Sequence, residues 1–279
     1  MTGKQVQGKS DRADHRDPGT YWNPGQYLKF NQHRLRPAIE LIERIPLESP
    51  GVIYDLGCGT GNVTRILSER FGSAKVYGLD HSKEMLEKAS TEPSDINWIN
   101  EDIEDWVPEE PPDLIFSNAS LHWIDHHETL FPILLGFLSS GGCLAVQMPL
   151  SWDLPSHRLM RETLENGGPG ETSLGSVDLT KLVSRKWVGD TQEYYDLLAG
   201  RARSLDIWET EYLQVLAGDD PVFEWVKATG LRPILHHLDD RMRSEFIEEY
   251  KNRLRIAYRT RIDGHTLYPF RRLFIVSVV

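Results

Sequence analysis

Cysteine is scarce in this chain, long apolar runs are missing, and basic residues are outnumbered. The two cysteines among 279 residues, Cys58 and Cys143, form no CxxC pair. They fall at a loop edge and in a strand-like apolar run, so no disulfide framework is expected and a reducing, cytoplasmic setting fits. No metal site is expected either. No stretch approaches the ~18 consecutive apolar residues of a membrane helix. The first twenty positions, MTGKQVQGKSDRADHRDPGT, lack the apolar core of a secretory signal. No membrane partner is expected. Lysine and arginine number 31 against 42 aspartates and glutamates, a net charge of −11. That balance argues against nucleic acid as a partner, because such affinity rests on clustered cations. A small anion is still allowed, provided a local set of arginines holds it inside an otherwise acidic molecule. Nothing in the sequence sets the oligomeric state.

What is present is an ordinary folding composition, 39% hydrophobic and 26% charged, long enough to bury a sizeable core. Residues 1–20 read as a disordered polar tail. From 21 to 279 the pattern predicts a single domain. A helix starts at Pro37, and a β-prone run at 51–57 ends in glycines. A helix over 62–70 and a second strand over 75–80 complete a βαβ unit. The alternation continues with a helix at 82–89, strands near 96–100 and 113–117, a helix near 126–138 and a strand at 143–148. Strands at 205–215 and 273–279 bring the total to seven. The expected fold is α/β, a doubly wound, mostly parallel seven-stranded sheet. Helical cap insertions are expected at about 150–190 and 217–262, where that alternation is lost.

The strongest local signal is Asp55-Leu-Gly57-Cys-Gly59-Thr-Gly61-Asn62, between a strand and a helix. Glycines there let the backbone turn sharply and approach a ligand. Asp80 ends the next strand, where a carboxylate can accept the hydroxyls of a ribose. The spacing is G-x-G-x-G rather than the G-x-G-x-x-G that seats a pyrophosphate, which favours S-adenosylmethionine over a dinucleotide. Its ammonium group gives Asp55 a role. The plain alternative is a tight strand-to-helix turn. Asp102 and Ile103 follow the third strand and suit an adenine amine and ring, unless that acidic run is only a solvated loop. Asn118 and His122 end the fourth strand, at the edge where open α/β sheets hold ligands. His122 either touches the acceptor or braces the loop.

These residues resemble the trans-aconitate 2-methyltransferase family of Rossmann-like methyltransferases. The likeness runs from Trp22 to Val279, in Trp22-Asn-Pro-Gly-Gln-Tyr-Leu, Arg34-Leu-Arg36-Pro, the glycine turn, Asp113-Leu-Ile-Phe-Ser-Asn-Ala-Ser-Leu-His-Trp, Ala145-Val-Gln-Met-Pro and Phe270-Arg-Arg-Leu-Phe-Ile-Val. It implies methyl transfer from S-adenosylmethionine to one carboxylate of a small tricarboxylate, trans-aconitate. An ionised carboxylate needs no general base, so catalysis is mostly placement. The cofactor set expected is Tyr27, Arg36, Asp55, Gly57, Gly59, Gly61, Asn62, Asp80, His81, Met85, Asp102, Ile103 and Asn118. Acceptor placement falls to His122, Tyr195 and some of Arg34, Arg232, Arg271 and Arg272, guanidinium being suited to carboxylates. Tyr21, Trp22 and Tyr27 are lid or core residues, and Trp152 and Tyr194 join Tyr195 as candidate acceptor donors. Another small acid, a carrier-bound acyl group or a hydroxyl acceptor remains open, as does a non-catalytic nucleoside-binding protein.

Overall fold

A computed structural model describes residues 35–227 and 230–279, apart from the side chains of Arg232 and Pro233. Tyr21, Trp22, Tyr27, Arg34 and the 1–20 tail lie outside the described residues. The chain order is α1 (Arg36–Glu43), β1 (Val52–Leu56), α2 (Asn62–Arg70), β2 (Lys75–Leu79), α3 (Lys83–Ala89), β3 (Asn97–Ile99) and β4 (Leu114–Asn118). After a short 3-10 turn at Leu121–Trp123 come α4 (His127–Phe137), β5 (Cys143–Pro149), α5 (Pro155–Asn166), α6 (Val177–Val183) and α7 (Thr191–Leu198). The remainder is β6 (Ser204–Leu216), α8 (Pro221–Lys227), α9 (Arg232–His237), α10 (Asp240–Ala257) and β7 (Thr266–Val278).

The seven strands lie in the order β3-β2-β1-β4-β5-β7-β6. Strands β1 to β5 are parallel, and β7 runs antiparallel to both β5 and β6. The parallel strands carry near-continuous apolar runs because helices cover both sheet faces. On one face Ile53, Phe116, Ala145 and Phe274 meet α1 and α2 residues such as Leu41, Ile42 and Ile66. On the other, Tyr54, Ile115, Val146 and Ile275 pack against Phe131 and Leu134 of α4 and Tyr194 and Leu198 of α7. Strand β7 begins at Thr266, seven residues before the apolar run that predicted it. Pro269 and Arg271-Arg272 break the apolar pattern over that first half of the strand. Pro269 is tolerated because β5 ends at the Pro149↔Arg272 pair, leaving only β6 beside it, at Leu213.

Residues of both expected cap insertions share one core: Leu154, Met160 and Leu164 of the first pack with Phe223, Phe246 and Tyr250 of the second. Buried hydroxyls stitch the two together. Tyr250 donates to the Ser156 carbonyl at 2.9 Å, and the Ser156 amide donates to the Tyr258 hydroxyl at 3.0 Å. Among the described residues no helix is long and apolar enough to cross a membrane.

Candidate active site

The glycine turn closes over the carboxyl ends of β1 and β2. Gly57, Gly59 and Gly61 have φ of 73°, 57° and 76°, the left-handed region that side chains disfavour. The Gly57 and Cys58 amides donate to the Leu79 carbonyl at 2.8 and 2.9 Å, tying the end of β1 to that of β2. The glycines differ in what surrounds them. A Cβ on Gly57 would stand 1.8 Å from the Ser120 hydroxyl, and one on Gly61 would stand 2.4 Å from the Trp98 ring. A Cβ on Gly59 meets nothing within 4 Å, so only there does the absent side chain leave room for a ligand rather than for the protein.

Asp80, 8% exposed, is held by backbone amides. Its Oδ2 accepts from Gly59 N and its Oδ1 from Ser82 N, both at 2.8 Å. Each oxygen keeps a second lone pair for a ligand hydroxyl. The Asn100 side chain fixes this corner by donating to the Asp80 and His81 carbonyls at 3.0 and 2.9 Å. His81 itself is exposed, its Nδ1 3.8 Å from Asp80. Met85 is half-buried at the start of α3, its amide donating to the capping Ser82 hydroxyl. Asn62 is exposed and opens α2, where the cap is Gly61 and no side-chain cap bond is made.

Asp55 is 2% exposed and accepts from the Thr64 hydroxyl at 2.7 Å. Burial pushes its pKa up to about 7; the Thr64 bond opposes that rise and the nearby charge of Asp80 adds to it. A cation alongside would reverse the shift, so this carboxylate suits a ligand ammonium. Asp102 is exposed, with Oδ1 accepting from Glu104 N at 3.1 Å, and Ile103 is half-buried against the core. The Asn118 Oδ1 is buried with no partner among the described residues. Together, a buried carboxylate that favours a cation, an amide-held carboxylate and an open glycine fit the ammonium and ribose of S-adenosylmethionine.

Beyond β4, the same carboxyl edge carries a different set of groups. Arg272 of β7 is 7% exposed, donates to the Gln147 Oε1 of β5 at 3.1 Å, and lies over the Phe270 ring. The half-buried His122 ring has an Nδ1 without a partner among the described residues. Burial, then the charge of Arg272 and those of His127 and His157, push its pKa down to about 3. His122 is therefore neutral at physiological pH and a weak base. His157, at the start of α5, is held neutral in the same way, with a pKa pushed to about 4 by burial and by Arg161. Its Nδ1 pairs with the Ser156 hydroxyl at 3.1 Å, which also meets the Tyr268 hydroxyl at 3.0 Å.

Three expected residues stand elsewhere. Arg271 alternates to the opposite sheet face from Arg272 and lies 3.8 Å from Glu209, because successive strand residues point apart. Tyr195 is 57% exposed on α7. Its neighbour Tyr194 turns inward, where its hydroxyl pairs with His127 Nδ1 at 2.6 Å and accepts from Gly189 N at 3.3 Å. Arg36 pairs with Glu40 at 2.7 Å and lies over Tyr212 of the edge strand β6, on the same sheet face as the end of β1 but four strands along from it. Tyr27 and Arg34 lie outside the described residues, as does the Arg232 side chain. Sequence reasoning did not single out Gln147 or His157, which the structure sets beside Arg272 and His122. Gln147 had a signal, a lone amide in the apolar run CLAVQMP; His157 had none.

The fold and site define an S-adenosylmethionine-dependent methyltransferase. Residues 53–142 match the family described as a methyltransferase domain. Two solved structures share the fold. YcgJ from Bacillus subtilis has a TM-score of 0.55 at 13% identity, over 87% of this chain and 97% of that one. Phosphoethanolamine N-methyltransferase 2 of Haemonchus contortus, solved with S-adenosylhomocysteine, has a TM-score of 0.51 at 16% identity, over 87% of this chain and 52% of that longer one. The trans-aconitate 2-methyltransferase of Pseudomonas paraeruginosa is 45% identical over 258 residues, 92% of this chain and 94% of that protein. That of Azoarcus sp. is 44% identical over 92% of this chain and 98% of its own length. The chain belongs to the trans-aconitate 2-methyltransferase family.

Proposed function

We propose that this chain transfers a methyl group to one carboxylate of trans-aconitate, giving the monomethyl ester. The observation that carries the reading is the buried Arg272, fixed by Gln147 at the carboxyl edge of the sheet beside the Asn118 and His122 turn. When bound, S-adenosylmethionine supplies a methyl carbon made electrophilic by its sulfonium. Asp55 takes the ammonium of that ligand, Asp80 the ribose hydroxyls, and Asn118, Asp102 and Ile103 the remaining polar and ring edges. One acid group of the acceptor goes to Arg272, a charge-assisted contact of ~1.5–3 kcal/mol. His122 borders the reacting oxygen as a neutral ring.

The state of His122 supports a carboxylate over a hydroxyl acceptor. A hydroxyl needs a base, and a ring with a pKa near 3 is a poor one. A carboxylate is already ionised and needs only alignment and dryness. Two buried, unpaired cysteines suit a reducing cytosol, where we place the reaction. The test is transfer from labelled S-adenosylmethionine to trans-aconitate, cis-aconitate, citrate and isopropylmalate, scoring base-labile ester. Preference for trans-aconitate is expected. Cofactor binding with no ester from any acid sinks the acceptor assignment.

A further inference from the structure

Gln147 is 0% exposed in a strand otherwise apolar on both faces, and its Nε2 has no hydrogen-bond partner among the described residues. A buried amide N–H left without a partner is destabilising. The orientation of this amide is set by chemistry. Arg272 can only donate, so the Gln147 oxygen must face it and the nitrogen must point away. The sheet register places Gln147 level with Asn118 on β4 and Phe274 on β7, all on the face that carries Asp55. Its free donor therefore lies between Asn118, on the cofactor side, and Arg272, two residues nearer the cap on that face.

We propose that Gln147 is a specificity-determining residue of the acceptor site, its amide nitrogen donating to an acceptor carboxylate other than the one methylated. This rests on the reading of the chain as a carboxylate methyltransferase. The reacting oxygen must offer a lone pair to the methyl carbon. A carboxylate drawn onto Gln147 and Arg272 has its electron density committed to N–H donors, so a second carboxylate does the attacking. As its O–C bond forms, the C–S bond breaks with its electron pair going to sulfur. One negative and one positive charge cancel, and no proton is released. The acceptor thus needs two acid groups, one anchored and one free.

The experiment compares Gln147→Leu and Gln147→Glu with the wild type, measuring KM for trans-aconitate, its binding in the presence of S-adenosylhomocysteine by calorimetry, and the S-adenosylhomocysteine Kd alone. The leucine variant is expected to bind trans-aconitate about tenfold more weakly. The glutamate variant keeps a partner for Arg272 but repels the anion, and is expected to lose roughly a hundredfold or more. S-adenosylhomocysteine binding should stay within about twofold in both. Wild-type acceptor affinity in the leucine variant overturns the proposal, because the donor it removes then contributes nothing to the acceptor. A measurement on the wild type alone covers variants that do not fold. Crotonate, with a single carboxylate, should show kcat/KM at least about a hundredfold below trans-aconitate; comparable turnover also overturns the proposal. No ester from any acid with the wild type overturns the acceptor reading itself, and this inference with it.

Discussion

At the β1–β2 end of the sheet, the ligand-facing groups are backbone amides and short carboxylates drawn from residues 55 to 82, each held by hydrogen bonds of 2.7 to 2.8 Å. At the β5–β7 end they are long side chains from positions 118 to 272, several with polar atoms that have no partner among the described residues. The first end is held by bonds within the protein itself and, on the proposed reading, takes the cofactor. The second carries hydrogen-bonding capacity unmet among the described residues, which on the proposed reading selects the acceptor.

The largest expected effect breaks the first end. Gly57→Ala combines a positive φ with a Cβ 1.8 Å from Ser120. Overpacking and strain together should cost about 3–5 kcal/mol, a fall in Tm of roughly 10 °C. Gly59→Ala meets no atom and should cost only about 1–2 kcal/mol, yet it should weaken cofactor binding markedly. Equal melting temperatures for the two variants would remove the distinction between a packed and a ligand-facing glycine.

Next comes Asp80→Ala, which should raise the S-adenosylmethionine Kd roughly a hundredfold, as two charge-assisted contacts are lost. Acceptor binding sites on β5 and β7 should be little changed, which a melting curve and calorimetry together can verify.

A smaller, pH-dependent effect tests Asp55. Folded Asp55 keeps its proton up to about 7, whereas an unfolded aspartate loses it near 3.8. Between those values the folded state binds more protons, so the ligand-free protein loses stability from this group as pH rises, and the loss is complete above 7. A cationic ligand wants the carboxylate, so S-adenosylmethionine affinity should fall by up to about tenfold per unit below pH 7. Asp55→Asn should flatten both slopes. A Kd independent of pH between 5 and 8 would remove Asp55 from the ammonium site.

Smallest of all, Tyr194→Phe should cost about 1 kcal/mol through the lost His127 bond, with a modest rise in KM as the loop carrying His122 loosens. Tyr195→Phe should change neither stability nor rate. The reverse ranking would restore Tyr195 to the acceptor site.

The same contrast explains what could be read in the sequence. The turn from Asp55 to Asn62 and the following helix were legible to the residue, because glycines with forced backbone angles and an amphipathic repeat act locally. Asp80 followed from its place at a strand end. Arg271 could not be separated from Arg272 by composition, since only strand phase assigns them to opposite faces, and that phase was hidden by Pro269. Tyr194 and Tyr195 were ambiguous for the same reason on a helix. Gln147 acts through Arg272, 125 residues away, and His157 through its neighbour Ser156, whose hydroxyl meets Tyr268 112 residues on, so no short window along the chain shows either arrangement.

The sheet order carries a consequence for how the chain is made. Strand β7 follows β6 in sequence but lies between β5 and β6 in space. During synthesis, β6 emerges with no neighbour to pair with, and the β5 flank stays open until some sixty residues later, when β7 arrives and fills the slot. The cap waits too, because Ser156 meets Tyr250 across 94 residues. Such non-local closure slows folding. The nascent protein therefore passes through a stage in which two strand edges and the apolar side of α5 are exposed together, the interval in which a ribosome-associated chaperone would matter most.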